Sequence, residues 1–432
     1  MTWNFHSFYT NRETGLIGKL LLSESENEAL KALRKTVRVR TKDIFEEAKQ
    51  LVKLTKNEIS LASLREEIYS TRFKYLSASD QATFADLIME LDVNVQAEFL
   101  KLSPRFWTQG SFIYDTLNKP YQTPPQEMDI DDGTYLPMVF FDDTPVIGHQ
   151  LLLLLVDTSL KSLVAENYGW SFEAKRTCGR IKIPSMNVHI DVPMYAIPQD
   201  KFLEKELILK EAANTRFKFE AYDSVSVEDH ELYQLDSDCV NLAVRADDQK
   251  WMKSDPKDVH LWFQDSSKRI GQHLKKICRF LKAWRDAEWV EGGGPTSISL
   301  MAATVNILEY KNVDPKDFGK TMLTIAKELP QTFKNGVESP DESDERPLFP
   351  HYHEHGDKER EIIKKMEHLA VSLEDAIYAN TKQDALNLLN LRFGERVTNT
   401  DLIVSQTAAP AFESEPTKAK QTVIISSTMK SG

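Results

Sequence analysis

The chain has 432 residues, of which 41% are hydrophobic and 28% are charged, and its formal net charge is −12. This length and composition argue against a wholly disordered chain and predict two or three structural units. The negative charge disfavours a protein whose whole surface neutralises phosphate backbones, although a local basic groove is compatible with it.

The first clear pattern along the chain is the start of a helix. Ser23 and Glu26 have the spacing of a capping box, in which each side chain bonds the backbone N–H of the other residue. The pattern predicts a long N-terminal helix, because apolar residues then recur at roughly helical spacing. These residues are Leu30, Leu33, Val37, Ile44, Ala48, Leu51 and Val52.

The middle of the chain has a different periodicity. From 106 to 197, short segments alternate with period two between Gly and Pro turns, with one helix predicted from about 147 to 168. After about 201, helical patterns dominate again, most clearly from 268 to 286. On that helix one face carries Ile270, Leu274, Ile277, Cys278, Leu281 and Trp284. The sequence thus predicts a mixed α/β part followed by a mainly helical lobe.

Two later segments are predicted to be irregular. Residues 336–357 are polar and turn-rich, which is typical of a long functional loop. Within it, the alternation of His351, His353 and His355 would suit a metal site, but no fourth ligand is identifiable and a polar loop is favoured. The end of the chain, from about 408 to 432, has little core-forming pattern and predicts a flexible tail.

Cysteines and apolar runs bear on the location of the protein. Cys178, Cys239 and Cys278 show no CxxC spacing, so neither a disulfide framework nor a zinc ribbon is indicated, and a reducing compartment is the simplest interpretation. The N-terminus lacks a basic region followed by an apolar run, and the run from 151 to 156 is too short to cross a bilayer. We therefore expect a soluble cytoplasmic protein with no membrane partner.

The residues that indicate chemistry begin with an acidic pair. Alternate side chains of a strand face the same way, so Asp129 and Asp131 are expected to project together, about 6.7 Å apart at their Cα atoms. Two carboxylates held so close favour a neutralising cation, and hard oxygen ligands suit Mg²⁺ or Mn²⁺. Upstream, Gly110 and Ser111 offer a close backbone approach and N–H groups that can cradle phosphates.

A third acid completes the pattern. In the segment 188–194, Val188, Ile190 and Val192 form one apolar face and Asp191 points to the other. Three converging carboxylates can hold two metal ions that stabilise both oxygens of a phosphoryl displacement, as nucleotidyl transfer requires. A Gly-Ser pair alone is a common turn and Asp-x-Asp alone is usually a solvated loop, but the combination is much less expected by chance.

These residues resemble the polymerase β nucleotidyltransferase superfamily, although the spacer 112–128 is longer than in its compact form. Within it the chain resembles bacterial cyclic GMP–AMP synthases of the DncV type, and the resemblance covers nearly the whole chain. The segments that carry it are 106–112, 126–133, 177–183, 189–195 and 280–286. The implied fold is α+β and bilobal: a polymerase β-like core with a mixed sheet, a helical C-terminal lobe, and a long bracing N-terminal helix.

The resemblance implies synthesis of 3′,3′-cyclic GMP–AMP from ATP and GTP in the cleft between the lobes. Asp129, Asp131 and Asp191 would hold two Mg²⁺ ions, for which Mn²⁺ can substitute, and Asp191 would help to deprotonate the attacking 3′-hydroxyl. Gln109 and Ser111 would hold the donor triphosphate. The full set of implied nucleotide contacts is Gln109, Gly110, Ser111, Tyr114, Arg180, Lys282, Ser297 and Asp344.

Some of these residues have a second interpretation from the sequence alone. Lys282 lies on the basic side of an amphipathic helix, where a cation can meet a triphosphate, whereas its neighbours Lys275 and Lys276 could equally form a solvated face. Ser297 and Asp344 lie in turn-rich segments and would also serve as ordinary cap residues.

The resemblance also implies partners. A cyclic GMP–AMP-activated effector would act in anti-phage signalling, and an enzyme resembling ubiquitin-transfer enzymes would conjugate the C-terminal Gly432, for which a free terminus is the alternative. Folate-like inhibitors would bind near Arg34, Arg38 and Arg40, unless these arginines form salt bridges. No DNA activator is expected, because the cysteine cluster and basic platform of the animal relatives are missing.

The predicted domains are 1–225 for the N-terminal helix and nucleotidyltransferase core, 226–405 for the helical nucleotide-binding lobe, and 406–432 for the tail. Alternatives to the proposed activity are another cyclic dinucleotide or oligonucleotide synthase, a transferase acting on RNA or protein, or a nucleotide-binding scaffold without activity. The intact acidic set argues against the scaffold, because a dead site has no reason to retain mutually repelling carboxylates.

Overall fold

The computed structural model describes residues 2–56, 59–141, 144–145, 147–199, 240–245, 250–254, 256–341 and 346–406. Among the predicted features, Asp344, Cys239, Gly432, the domain boundary at 225/226 and the tail beyond 406 lie outside these residues. Within the described part of the chain, every helix is too short or too polar to cross a bilayer.

The helices occupy both ends of the chain. The α-helices are α1 (His6–Thr10), α2 (Leu16–Leu20), α3 (Glu24–Thr55), α4 (Leu61–Ser70), α5 (Ala78–Met89), α6 (Val93–Lys101), α7 (Gly110–Ile113), α8 (His149–Glu166), α9 (Pro256–Ile270), α10 (His273–Glu288), α11 (Ser297–Tyr310), α12 (Phe318–Lys334), α13 (Asp357–Tyr378) and α14 (Lys382–Phe393). Short 3₁₀ turns lie at Arg72–Tyr75, Pro184–Met186, Tyr352–Glu354 and Thr400–Leu402.

The strands lie mostly between these groups of helices. They are β1 (Trp3–Asn4), β2 (Arg105–Gln109), β3 (Met128–Met138), β4 (Phe140–Phe141), β5 (Thr144–Pro145), β6 (Ser171–Ala174), β7 (Cys178–Ile183), β8 (Val188–Pro198), β9 (Asn241–Ala243), β10 (Trp251–Lys253) and β11 (Val404–Ser405).

One mixed sheet forms the centre of the first lobe. Its main path is β10-β9-β8-β3-β2, and β7 also pairs with β8 and carries β6 beyond it. The long strands β3 and β8 run parallel, whereas β2 is antiparallel to β3, and β7 and β9 are antiparallel to β8. This arrangement, with the helical second lobe, confirms the predicted α+β fold class.

The long N-terminal helix is confirmed as α3. Its capping box is complete, since Ser23 N donates to Glu26 Oε2 at 2.6 Å and Glu26 N donates to Ser23 Oγ at 3.2 Å. Its apolar stripe, including Leu30, Val37 and Ile44, is buried in one core with α8 and the sheet. The helix therefore covers one face of the sheet, and the opposite face is left for the site.

The helical lobe has a separate core that includes the start of the chain. Phe8 and Tyr9 are buried with helices α10 to α14, and β1 pairs with β11 near residue 405. Residues 3–20 thus pack in the helical lobe, although the predicted division assigns them to the nucleotidyltransferase unit. The division itself stays a prediction.

One predicted helix is wrong in its bounds. The segment expected to be continuous from 268 to 286 is the end of α9 and most of α10, separated at Gly271, whose φ is +115°. A φ in this region is readily adopted only by glycine, so the apolar periodicity continued across a residue that ends a helix. By contrast, the predicted helix at 147–168 is confirmed as α8 within two residues at each end.

The histidine-rich segment is a loop with local contacts. His355 is buried and its Nε2 donates to the Pro350 carbonyl at 2.8 Å, whereas His351 lies 3.3 Å from a carboxylate oxygen of Glu338. These different environments favour the polar-loop interpretation over a metal site.

The packing of the first residues can be tested by replacing the side chain of Phe8. Phe8→Ala should lower the free energy of unfolding by about 3–5 kcal/mol, because a fully buried aromatic ring is replaced by a cavity. Urea denaturation of the whole chain measures this change. Tyr168→Ala, at a fully exposed ring, is the control and should stay within about 0.5 kcal/mol of the parent chain. Equal effects of the two changes would contradict the packing described.

Candidate active site

The acidic residues are brought together by the parallel pairing of β3 and β8. Asp131 lies directly opposite Asp191, and Asp129 lies opposite His189. The intervening Ile130 and Ile190 are buried on the other face, against α3 and α8. The period-two prediction for these acids is confirmed, and all three project from the same face of the sheet.

His189 belongs to this cluster and was missed by the sequence analysis. Potential ligand atoms of Asp129, His189 and Asp191 lie within 4.8 Å of one another. The signal was present in the sequence, because His189 precedes Asp191 by two residues in a strand and must therefore face the same way. Carboxylate oxygens with one imidazole nitrogen are a donor set that fits a divalent cation.

The atoms of His189 are only partly engaged by the protein. Its Nε2 lies 2.8 Å from Asp129 Oδ1, an ion-pair distance, but neither atom has a hydrogen bond of good geometry. Its Nδ1 lies 3.1 Å from Glu127 Oε2. Hydrogen-bonding capacity left unused at adjoining atoms is consistent with a place for a cation.

Arg180 holds the third acid. Its Nε and Nη2 donate to the two carboxylate oxygens of Asp191, each at 2.6 Å, from the neighbouring strand β7. Arg180 was predicted to contact bases or phosphates, and here its guanidinium instead neutralises an acid. Such a bidentate pair fixes the orientation of both side chains.

The remaining acid has the least favourable electrostatics. Burial, followed by repulsion from Asp129 and Asp191, raises the pKa of Asp131 well above its usual range. Burial would also raise the pKa of Asp129, but the adjacent His189 and Arg180 lower it overall, and 49% of that side chain remains exposed. The cluster thus has more negative charge than the nearby protein cations offset.

A short turn beside Asp131 forms the other wall of the site. Gly110 begins α7 with φ +66°, and a Cβ at this position would overlap a carboxylate oxygen of Asp131. The glycine is therefore required both by its backbone conformation and by the approach of the acid. The close approach seen here is to a side chain of the protein itself, and the expected approach to a phosphate stays a prediction.

Lys282 of α10 connects the turn to the helical lobe. Its Nζ donates to Ser111 Oγ at 2.7 Å and to the Thr116 carbonyl at 2.8 Å. Lys282 is only 4% exposed, and burial, assisted by the nearby Arg285, lowers its pKa to about 7. Near neutral pH the protonation of such an amine changes when a polyanion binds beside it.

A cavity of about 410 Å³ lies between the sheet and α10. Its lining includes Ser111, Asp129, His189, Lys282 and Ser297. Of these, Ser297 lies in the first turn of α11, and its Oγ accepts a hydrogen bond from Arg285 Nη1 at 2.8 Å. Acids, a buried cation and hydroxyl groups therefore face one common space of the size of small-ligand sites.

Two predicted residues lie beside the cavity with their side chains engaged elsewhere. Gln109 hydrogen-bonds Tyr135 and Tyr195, at 3.1 and 3.2 Å. Tyr114 is 8% exposed and packs with Phe263 in an apolar cluster shared with α9 to α11. Neither side chain is among those that line the cavity.

The basic cluster on α3 forms salt bridges and hydrogen bonds, as one of the two interpretations expected. Arg38 makes a bidentate pair with the buried Asp132, at 2.6 and 2.7 Å. Arg34 donates to Thr108 Oγ1 at 2.9 Å, and Arg40 pairs with Glu166 at 2.5 Å. Arg38 therefore anchors α3 to β3, on the face opposite Asp131.

The role of Gly110 can be tested without a substrate. Gly110→Ala should displace the Asp131 carboxylate and strain the backbone, which costs at least about 1–2 kcal/mol of stability. It should also weaken binding of Mn²⁺, used as a paramagnetic probe, by about tenfold, or about 1.4 kcal/mol, because Asp131 is a predicted metal ligand. Gly148→Ala is the matched control, because its Cβ would meet no atom within 4 Å. Unchanged Mn²⁺ affinity in Gly110→Ala would contradict this description.

Comparisons with known proteins agree with this geometry. The family model described as cyclic GMP-AMP synthase DncV-like, nucleotidyltransferase domain, matches residues 104–195. The model described as cyclic GMP-AMP synthase, C-terminal domain, matches residues 271–406.

Similar proteins span the whole chain. A cyclic GMP–AMP synthase from Vibrio cholerae serotype O1 is 56% identical over 438 residues, covering 100% of both chains. One from Escherichia coli (strain TW11681) is 50% identical over 435 residues, again covering 100% of both.

Solved structures of Vibrio cholerae DncV share the fold. The structure in complex with the linear intermediate 5′ pppA(3′,5′)pG has a TM-score of 0.86 and 55% identity, covering 94% of this chain and 99% of that one. The structure with GTP and 5MTHFGLU2 has a TM-score of 0.87 and 55% identity, covering 94% and 100%. The chain therefore belongs to the DncV-like cyclic GMP–AMP synthases, which are nucleotidyltransferases.

Proposed function

We propose that the chain makes 3′,3′-cyclic GMP–AMP from ATP and GTP at the cluster of Asp129, Asp131 and Asp191. The observation that carries the proposal is the register of β3 and β8, which sets Asp131 against Asp191 beside the cavity that Lys282 and Ser111 line. These acids would hold two Mg²⁺ ions, with Mn²⁺ able to substitute, and His189 is a further candidate ligand. When bound, such ions stabilise the attacking and leaving oxygens of the displacement.

The protein's own residues would bind and orient the donor nucleotide. The Ser111 hydroxyl and the Lys282 ammonium meet at 2.7 Å, so a triphosphate that contacts one is within reach of the other. The Gly110 turn exposes the start of α7, and backbone N–H groups of such a turn bind phosphate oxygens. Together these groups position the α-phosphate near the acids.

Asp191 would accept the proton of the attacking 3′-hydroxyl. In the structure Arg180 bonds both oxygens of Asp191, so this pair would have to loosen for Arg180 to contact a nucleotide. Arg180 would then be available for a phosphate or base, as the family resemblance implies. Ser297, which lines the cavity beside Arg285, remains a proposed contact to a base or phosphate. Asp344, which lies outside the described residues, remains proposed on the family resemblance alone.

The size of the cavity favours nucleotides over a larger acceptor. A volume of about 410 Å³ is within the range of small-molecule sites, roughly 300–1,000 Å³. A transferase acting on RNA or protein would need a groove open to a macromolecule. We therefore prefer a cyclic dinucleotide synthase to that alternative, and the retained acids argue against a scaffold without activity.

The proposed partners extend beyond the substrates. A mutant of Vibrio cholerae DncV has been solved in a complex with ATP, GTP and 5MTHFGLU2, and we propose that a folate-like inhibitor also binds this chain. The salt bridges of Arg38 and Arg40 would have to rearrange for an anion to bind at the α3 cluster. A product-activated effector in anti-phage signalling, conjugation at Gly432 and a cytoplasmic location are further proposals, as is the absence of a DNA activator.

The reaction is tested by its product. The purified chain, supplied with Mg²⁺ and all four ribonucleotides, should form cyclic GMP–AMP, identified by mass spectrometry and nuclease mapping. The double change Asp129→Ala, Asp131→Ala should reduce the rate by at least about 10³-fold, since the charge that binds the metal is removed. Asp265→Ala, Asp357→Ala removes two exposed acids as a control. Product that persists in the first variant would refute the assignment of the site.

The buried lysine predicts proton uptake on nucleotide binding. At about pH 8 an amine with a pKa near 7 is mostly neutral, and a triphosphate beside it raises that pKa and draws a proton from the buffer. Phosphate groups with a pKa of about 6 are already ionised and do not offset the uptake. Calorimetry of GTP binding in buffers of different ionisation enthalpy measures the number of protons.

Two variants separate Lys282 from its neighbours in that experiment. Lys282→Met should abolish the uptake, whereas Lys276→Met, on the same helix, should retain it. Equal proton uptake by Lys282→Met and the parent chain would show that another group is responsible.

A further inference from the structure

The long spacer between the Gly-Ser turn and the acidic pair runs across the helical lobe. Gln126 Nε2 donates to the Asp286 carbonyl of α10 at 2.6 Å, and Lys119 N donates to the Leu20 carbonyl of α2 at 2.9 Å. Tyr121 lies under the guanidinium of Arg396, 5.0 Å from the ring centre. The segment that departs from the compact superfamily pattern is therefore a contact between the lobes.

Arg279 of α10 makes the densest of these contacts. Its Nε donates to the Asp115 carbonyl at 3.2 Å, its Nη2 donates to Asp115 Oδ1 at 2.9 Å, and its Nη1 donates to Asn118 Oδ1 at 3.2 Å. Nη1 also donates to the Leu117 carbonyl, and Asn118 Nδ2 returns a bond to the Arg279 carbonyl at 2.8 Å. One guanidinium, 6% exposed, thus bonds three of the four spacer residues 115–118.

The turn that Arg279 holds has an unfavourable backbone. Asp115 has φ +54°, a region that residues with a Cβ adopt only when surrounding contacts maintain it. Its side chain is 70% exposed, so packing of the carboxylate does not stabilise the turn. Arg279 bonds both the Asp115 carbonyl and its carboxylate, and these bonds add to the weaker contacts of Asp115 N with the Phe112 carbonyl at 3.4 Å and of Lys275 Nζ with Asp115 Oδ2 at 3.9 Å.

This turn determines where the phosphate-binding groups lie. Thr116 N donates to the Ser111 carbonyl at 3.0 Å, and the Thr116 carbonyl accepts from Lys282 Nζ. Arg279 and Lys282 are three residues apart on α10 and therefore lie on one face of the helix. Arg279 fixes the turn at 115–118, and Lys282 donates to Ser111, whose position depends on that turn.

We propose that Arg279 is a positioning residue, which holds residues 115–118 so that Ser111 faces Lys282 across the mouth of the triphosphate site. The inference rests on the proposed function only in taking Ser111 and Lys282 as triphosphate ligands. Arg279 itself does not line the cavity. A lysine cannot replace it, because one ammonium lacks the planar fork that reaches acceptors on three residues.

The test compares triphosphate affinity with overall stability. Inorganic tripolyphosphate, titrated by calorimetry, probes the cradle without a base, and GTP is measured in parallel. Arg279→Met should raise the Kd for tripolyphosphate and the KM for GTP about tenfold or more, since small misplacements of positioned groups are costly. Arg279→Lys should resemble Arg279→Met. Asp115→Gly, which removes the carboxylate but tolerates the positive φ, should shift the Kd in the same direction.

Arg396→Met is the matched control. Arg396 also bonds the spacer, to the Lys119 and Pro120 carbonyls at 3.4 Å each, but beyond the turn at 115–118. The change should lower the melting temperature while leaving the tripolyphosphate Kd within about twofold of the parent, because Arg396 shares no hydrogen-bond partner with Ser111 or Lys282 among the described residues.

Several outcomes would overturn the positioning role. These are an equal loss of affinity in Arg396→Met, full recovery of affinity by Arg279→Lys, and a lower melting temperature in Arg279→Met with an unchanged Kd. If the parent chain binds tripolyphosphate but makes no cyclic dinucleotide, the proposed reaction fails while the affinities still test Arg279. If the parent makes the product and Arg279→Met binds tripolyphosphate normally, only the positioning role fails.

Discussion

Repulsion among Asp129, Asp131 and Asp191 is the constraint around which the site is organised. Parallel pairing of β3 and β8 sets Asp131 against Asp191, and the two-residue period adds Asp129 on the same face. The protein offsets part of this charge with Arg180 and His189, which lie against Asp191 and Asp129. Arg180 and His189 therefore occupy positions next to the acids that the proposed metals and substrates would also approach.

One face of the sheet packs against helices and stabilises the fold, whereas the other face carries the acids of the candidate site. On the face that α3 covers, Asp132 is buried and both of its oxygens accept from Arg38 of α3. This pair fixes β3, the strand that carries Asp129 and Asp131. On the face that carries the acids, Lys282 extends from α10 of the helical lobe. Its buried amine bonds Ser111 and Thr116, and among the described residues no carboxylate contacts it directly. Desolvation of that amine is unfavourable in isolation, and a bound polyanion relieves it. A buried amine that is bonded to a hydroxyl and a carbonyl, but not to a carboxylate, would thus favour phosphate ligands in the cleft.

The sequence predicted those parts of the structure that depend on local periodicity. The capping box of Ser23, the apolar stripe of α3 and the alternation around Asp129 and Asp191 are all confirmed, because helix and strand periods determine which side chains share a face. The break at Gly271 was missed because apolar spacing continued through it. The packing of residues 3–20 in the helical lobe, and the pairing of Arg38 with Asp132, depend on contacts between distant segments, which periodicity does not encode.

The long spacer shows how a requirement of folding becomes a requirement of the site. A segment that crosses between two lobes brings buried carbonyl groups with it, and each needs a donor. Arg279 and Lys282 supply those donors from one face of α10, to Asp115, Leu117 and Thr116. Because Thr116 is in turn bonded to Ser111, satisfying the backbone of the spacer also determines where the hydroxyl of the Gly-Ser turn lies. The distance between Ser111 and the acids is therefore fixed by the sheet at one end of the turn and by the helical lobe at the other.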